Sequence, residues 1–181
     1  MIDLEIIEEC RKGNHQNFRE VVRMVSPFAF SVAFRMLGDE ETAKDIVQES
    51  LVTLWEKINR IKSADSFKKW VYKIVVNKCY DQMRKRKREP EFRPDEPTWM
   101  VISNLMSHEP ASELENSETA RVISLLTEKL SPRQKAVFVL SDLEEMTSDE
   151  ISAITGMSKR NVKANLYYAR KNISGMINKY I

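Results

Sequence analysis

Four prolines, Pro90, Pro94, Pro97 and Pro110, stand between residues 89 and 117. Each removes a backbone donor and biases the residue before it toward extended conformations. A helix does not run through such a segment, yet the chain on both sides of it has helical apolar spacing. The 181 residues are therefore expected to form two small helical domains joined by an extended linker, an all-α fold. The expected boundaries are 1–89, 90–117 and 118–181. Glycine is scarce, with 4 residues, and 31% of the chain is charged, both in keeping with helix.

Charge divides along the same lines. Residues 1–90 hold 18 Lys+Arg and 14 Asp+Glu, residues 91–117 hold 1 and 6, and residues 118–181 hold 10 and 7. Two basic blocks thus flank an acidic connector. That connector also carries an apolar patch, Trp99, Met100, Val101, Ile102, Leu105 and Met106, which suits docking on a domain or on a partner.

Several classes drop out. Two distant cysteines, Cys10 and Cys79, and two isolated histidines, His15 and His108, provide neither a disulfide framework nor zinc spacing. Nuclease-type carboxylate clusters and a phosphate-binding glycine loop are not found, so an enzyme, a cofactor and a bound metal are not expected. No run of about 18 apolar residues occurs, and the acidic start MIDLEIIEECRKG lacks a signal-peptide core. The expected setting is reduced and cytoplasmic.

In the first block, helices are predicted over about 4–11, ending near Gly13, and 16–37, with Gly38 as C-cap and a kink or break at Pro27. Asp39 caps a third helix reaching about Ile58, with Glu40 and Glu41 in its first turn. Its core stripe is Ala43, Ile46, Val47, Leu51, Leu54 and Ile58. The opposite side carries Glu41, Asp45, Gln48, Val52, Trp55 and Glu56. Apolar and acidic groups mixed on a wet face suit a protein partner better than DNA, unless another helix covers them.

The fourth helix, FKKWVYKIVVNKCYDQMRKRKR from Phe67 to Arg88, carries nine cations and one acid. An ordinary surface helix mixes signs. Phe67, Val71, Ile74 and Val75 form its core side. Trp70, Lys73, Asn77, Tyr80 and Arg84 recur at spacings of 3, 4, 3 and 4 and share a neighbouring face. Rings stack on unpaired bases and cations track phosphates, so this mix suits single-stranded nucleic acid. The plain alternative makes Trp70 and Tyr80 core-edge residues and RKRKR a solvated helix end.

The second block starts a helix at Ser131-Pro132. In TSDEISAITGMSKRNVKANLYYARKNI, Thr147 or Ser148 caps a short helix, Gly156 makes a tight turn and Ser158 caps the next helix. Two helices joined this way form a helix-turn-helix pattern. The last helix buries Val162, Leu166, Ala169 and Ile173. It presents Arg160, Ala164, Tyr167 and Lys171, flanked by Lys159, Lys163 and Arg170. Lys159, Arg160 and Lys163 lie at the end that a recognition helix puts near base edges.

In this order the segments resemble the sigma-70 family of RNA polymerase sigma factors, in its extracytoplasmic-function (ECF) group. FREVVRMVSPFAFSVAFRMLGDEETAKDIVQESLVTLWEKI and the basic helix look like sigma region 2. LTEKLSPRQKAVFVLSDLEEMTSDEISAITGMSKRNVKANLYYARK looks like region 4. The resemblance implies a transcription initiation factor that binds core RNA polymerase, through its β′ clamp and β subunits, and promoter DNA. Asp45, Gln48 and Glu49, with Val52 and Trp55, would dock on the clamp. Residues 59–66 and the basic helix would recognise and hold open the −10 element, and the last helix would read duplex −35 DNA. It also implies an anti-sigma factor, which can be membrane-bound, and no direct membrane insertion. Asn161, Ala164, Asn165 and Tyr168 depart from frequent Thr, Ser and basic residues, which leaves the −35 preference open.

A stand-alone helix-turn-helix regulator would also account for the last 50 or so residues. It leaves the aromatic-cation helix and the acidic apolar face without a role.

Overall fold

The structure, a computed structural model, describes residues 4–61, 63–86, 123 and 125–178. The linker with its apolar patch and the cations Lys87 and Arg88 lie outside the described residues. The first unit holds α1 (Leu4–Arg11), α2 (His15–Leu37), α3 (Glu40–Lys57), a 3₁₀ turn (Ile58–Arg60) and α4 (Ala64–Arg86). The second holds α5 (Pro132–Phe138), a π turn (Val139–Leu143), α6 (Ser148–Thr155) and α7 (Lys159–Ile177).

Caps set the helix ends. Asn14 Oδ1 accepts from the Gln16 and Asn17 amides at 3.0 and 3.2 Å and starts α2. Gly38, at φ 72°, ends it in the left-handed region that glycine tolerates. Asp39 Oδ1 accepts from the Thr42 amide at 2.8 Å and starts α3. Ser131 with Gln134 and Thr147 with Glu150 form reciprocal capping boxes for α5 and α6.

A break at Pro27 does not occur: α2 is one helix through it. Proline in a helix interior costs about 3 kcal/mol. Val21, Val25, Ala29 and Val32 are buried on both sides of it, and each buried valine returns about 1.5–3 kcal/mol. Packing outweighs the lost backbone bond.

The predicted α3 stripe is the core stripe, with Ala43, Ile46, Val47, Leu54 and Ile58 buried and Leu51 packed at its edge. On α4 the structure adds to the expected side. Tyr72, Val76 and Cys79 are buried besides Phe67, Val71 and Val75. The reason is that α2 and α3 cover one side of α4, while α5 and α6 cover another. One apolar core consequently runs from Ile7 in α1 to Val162 in α7. A smaller cluster, Leu130, Ala169 and Ile173 with Phe138, anchors the rest of α7. No described helix is long and apolar enough to cross a membrane.

Candidate nucleic-acid and polymerase interfaces

The helix-turn-helix is α6, a turn and α7. Gly156 takes φ 72°, and its amide closes α6 on the Ser152 carbonyl at 2.9 Å. Ser152 Oγ donates to the Met157 carbonyl at 2.6 Å, so the small hydroxyl staples the turn. Ser158 Oγ accepts from the Asn161 amide at 3.3 Å and starts α7. Val162, Ala169 and Ile173 are buried, with Leu166 at the edge, which fixes the outward face.

That face carries Arg160, Lys163, Tyr167 and Lys171, all exposed. Tyr167 meets the also exposed Tyr168 edge-on at 5.5 Å between ring centroids. The other two predicted contacts are already engaged. Lys159 forms an exposed ion pair with Asp149. Arg170 makes two bonds to Asp142 of the π turn, 2.9 and 2.7 Å long. Asn165 Nδ2 donates to the Asn161 carbonyl at 2.8 Å, which holds that amide along its own helix.

On α4, Lys73, Asn77 and Arg84 are exposed while Trp70 and Tyr80 are half-buried against the core. The Tyr80 hydroxyl is fully buried and has no hydrogen-bond partner among the described residues. Burial pushes that phenol up to about 12, against the pull of the Arg133 guanidinium from α5. The five residues do lie along one helix, but its rings are recessed between its cations. Arg86 is structural: it donates to the Leu37 carbonyl at 3.1 Å and to Thr42 Oγ1 at 2.9 Å. It thereby ties the end of α4 to the α2–α3 corner.

On α3, Asp45, Gln48, Glu49 and Val52 are exposed along one side, Val52 to 58%. Glu49 pairs with Lys78 of α4 at 3.0 Å. Trp55 departs from this row. His15 stacks on it at 4.7 Å and Phe18 meets it edge-on at 4.7 Å, so α2 covers the ring.

A fourth cluster was not foreseen. Glu144, just after the π turn, accepts from Arg35 at 2.6 Å, from Tyr72 OH at 2.9 Å and from Ser31 at 3.4 Å. Separately, Lys135 of α5 is buried, and that burial pulls its ammonium down to about 8, opposed by the Glu128 carboxylate. The only sequence signals were an acid in a short loop and a lysine inside an apolar run. Neither indicates a partner elsewhere in the chain: for Glu144 these lie more than 70 residues away, and Lys135 has Cys79 and Arg86 of α4 beside it.

The fold and these surfaces define a two-unit helical protein with a helix-turn-helix and a separate basic, aromatic-bearing helix. Residues 21–89 match the family model for sigma-70 region 2, and residues 120–173 match that for sigma-70 region 4. The chain belongs to the sigma-70 family, in its ECF group, and is a promoter-recognising RNA polymerase sigma factor.

Among its relatives is the ECF RNA polymerase sigma factor SigW of Bacillus subtilis, 25% identical over 175 residues and covering 91% of each chain. RNA polymerase sigma factor CnrH of Cupriavidus metallidurans is 27% identical over 181 residues, covering 97% of this chain and 94% of that one. The structure of CnrH in complex with the cytosolic domain of CnrY superposes with a TM-score of 0.68 at 25% identity, covering 96% of each chain. The sigma factor RpoE, in complex with the anti-sigma factor NepR from Bartonella quintana, has the same fold. Its TM-score is 0.66 at 20% identity, covering 90% of this chain and 98% of that one.

Proposed function

We propose a division of labour among the surfaces. The α7 face of Arg160, Lys163, Tyr167 and Lys171 reads duplex −35 DNA. The α4 face of Trp70, Lys73, Asn77, Tyr80 and Arg84 holds the opened −10 strand. The α3 row of Asp45, Gln48, Glu49 and Val52 docks on the β′ clamp of core polymerase. Lys159 and Arg170 serve the first surface from within ion pairs, and Trp55 supports the third as packing. The domains run over 1–89 and 118–181, and the linker 90–117 occupies the polymerase's basic nucleic-acid channel, where its six acids against one base are favourable.

The observation that carries this reading is the α7 outer face. Its cations are exposed and, apart from Lys159 and Arg170, form none of the ion pairs found among the described residues. An anti-sigma factor is the expected antagonist, because the similar chain RpoE is held by one. The protein is cytoplasmic and has no catalytic activity of its own. A stand-alone regulator is not favoured, since the region 2 match gives the first unit a role of its own. The test is a pull-down with core polymerase followed by transcription on genomic templates. Co-purification and new transcripts support the reading, whereas neither occurring contradicts it.

A further inference from the structure

The turn between α3 and α4 is gripped at both ends by the corner between α1 and α2. At its far end, Arg11, in the last turn of α1, donates through Nη2 to the Ile61 carbonyl. At its near end, His15 of α2 stacks on Trp55, in the last turn of α3, at 4.7 Å and 27° between ring planes. Ile58 and Ile61 are buried, and the Ile61 amide donates to the Ile58 carbonyl at 3.2 Å. Past them, Ser63 Oγ accepts from the Ser66 amide at 3.3 Å, and Ser66 Oγ donates to the Ser63 carbonyl at 2.8 Å. Asn59 and Arg60, between the two buried isoleucines, are exposed. The Arg11 side chain is half-buried, and its Nε is fully buried with no hydrogen-bond partner among the described residues. An unpaired buried donor costs stability, and an apolar side chain of similar length would fill that space without one. Stability alone therefore does not account for arginine at this position, whereas its bond to the turn does.

The turn stands at the head of α4, the helix that carries Trp70 and Lys73. An opened strand exposes its base edges. An amide pairs with adenine and a guanidinium with guanine through two parallel bonds, and such a pair requires placement within about 0.5 Å. We propose that Arg11 is a positioning residue for base choice. Through the Ile61 carbonyl it fixes the turn, and Asn59 and Arg60 on that turn read a base of the strand that α4 holds. Helix α1 thereby sets sequence preference without touching DNA. This rests on the reading of α4 given under Proposed function.

Arg11→Met keeps the stem and removes the donor, while Arg11→Lys keeps a shorter, single-point donor. The full chain is assayed with core polymerase on a genomic template that it transcribes, pre-melted and randomised over the opened segment, and the transcripts are sequenced. The wild-type chain enriches particular bases at one or two positions. Arg11→Met flattens that enrichment about fivefold or more, Arg11→Lys recovers part of it, and total yield stays within about twofold. Asn59→Ala or Arg60→Ala flattens the same positions, and adding Arg11→Met to that variant changes nothing further. Circular dichroism and random-duplex affinity match the wild type. If Arg11→Met keeps the enrichment, or lowers yield equally for every base, the positioning role is overturned. Should Arg11→Met lose helix content, Arg11→Lys decides: partial flattening supports the role and full enrichment overturns it. If Asn59→Ala and Arg60→Ala both keep the enrichment while Tyr80→Ala still initiates poorly on the unmelted duplex, base reading by the turn is overturned and the α4 reading stands. If Tyr80→Ala also initiates normally there, the α4 reading fails and the proposal with it.

Discussion

Arg170 and Asp142 form a two-bond ion pair, 2.9 and 2.7 Å long, between α7 and the π turn before α6. Arg170 stands among the cations of the α7 outer face, yet its guanidinium is partly neutralised. The carboxylate raises its pKa further. The pair is open to solvent on the Arg170 side, so it contributes at most about 1 kcal/mol to stability.

This gives Asp142→Asn two effects of opposite sign. Thermal stability falls slightly, while affinity for duplex DNA rises and its salt dependence steepens by about one phosphate contact. Titration at several salt concentrations measures both. An unchanged slope would show that Arg170 does not reach the DNA even when released.

In the proposed division of labour, base reading falls to Arg160 and Lys163 instead. Alanine at either position weakens duplex −35 binding by about 1–3 kcal/mol if the lost contact is to a base, and alters sequence preference there. Selection from a randomised duplex pool provides the measurement. Uniform weakening without a change of preference would assign both residues to phosphates.

On α3, Val52 and Trp55 separate packing from docking. Val52→Asp weakens core-polymerase binding and leaves the melting temperature nearly unchanged, because the side chain is 58% exposed. Trp55→Ala removes the ring that His15 and Phe18 hold and costs about 2–3 kcal/mol, less than a fully buried tryptophan. Thermal melts alongside pull-downs distinguish the two. Equal melting losses would mean that Val52 is covered in solution.

Stability depends on alkaline pH through groups buried between α4 and the second unit. Lys135 has a native value of about 8 against an ordinary 10.5, so between these values the unfolded chain binds more protons and stability rises with pH. Cys79 opposes this from pH 9, the ordinary thiol value, because burial pushes its thiol up to about 12. Above pH 10 Tyr80, also raised to about 12, and Tyr72, raised by burial and by the Glu144 carboxylate, turn the balance downward. Stability therefore climbs from pH 8 to 9, by on the order of 1 kcal/mol, levels off and then falls. Charged neighbours of Lys135 are Glu128 and Arg86. Lys135→Met abolishes the climb in chemical denaturation; a climb that persists in the variant would assign it elsewhere.

Much of this was legible from residue order. Asp39 with its following stripe specified α3, and Ser131-Pro132, Thr147, Gly156 and Ser158 specified the helix-turn-helix, because caps and apolar spacing act within a few residues. What depends on distant partners was not legible. Tyr72, Val76 and Cys79 are buried by a unit encoded more than 50 residues later, and nothing beside them indicates it. The continuity of α2 at Pro27 was hidden for the same reason: the packing that carries the helix through it, without a break, comes from α3 and α4. The Trp55 ring, read on an open face, is covered by two side chains near the start of α2.

The central claim is that α4 serves an opened DNA strand within a polymerase complex. Its most direct test is transcription with core polymerase on matched duplex and pre-melted promoter templates, comparing the wild-type chain with Tyr80→Ala. Stacking on an unpaired base is worth about 1–3 kcal/mol. The variant should therefore bind polymerase normally, initiate at least fivefold less on the duplex, and recover on the pre-melted template. Equal impairment on both templates, with helix content intact, would contradict the claim and make Tyr80 a packing residue.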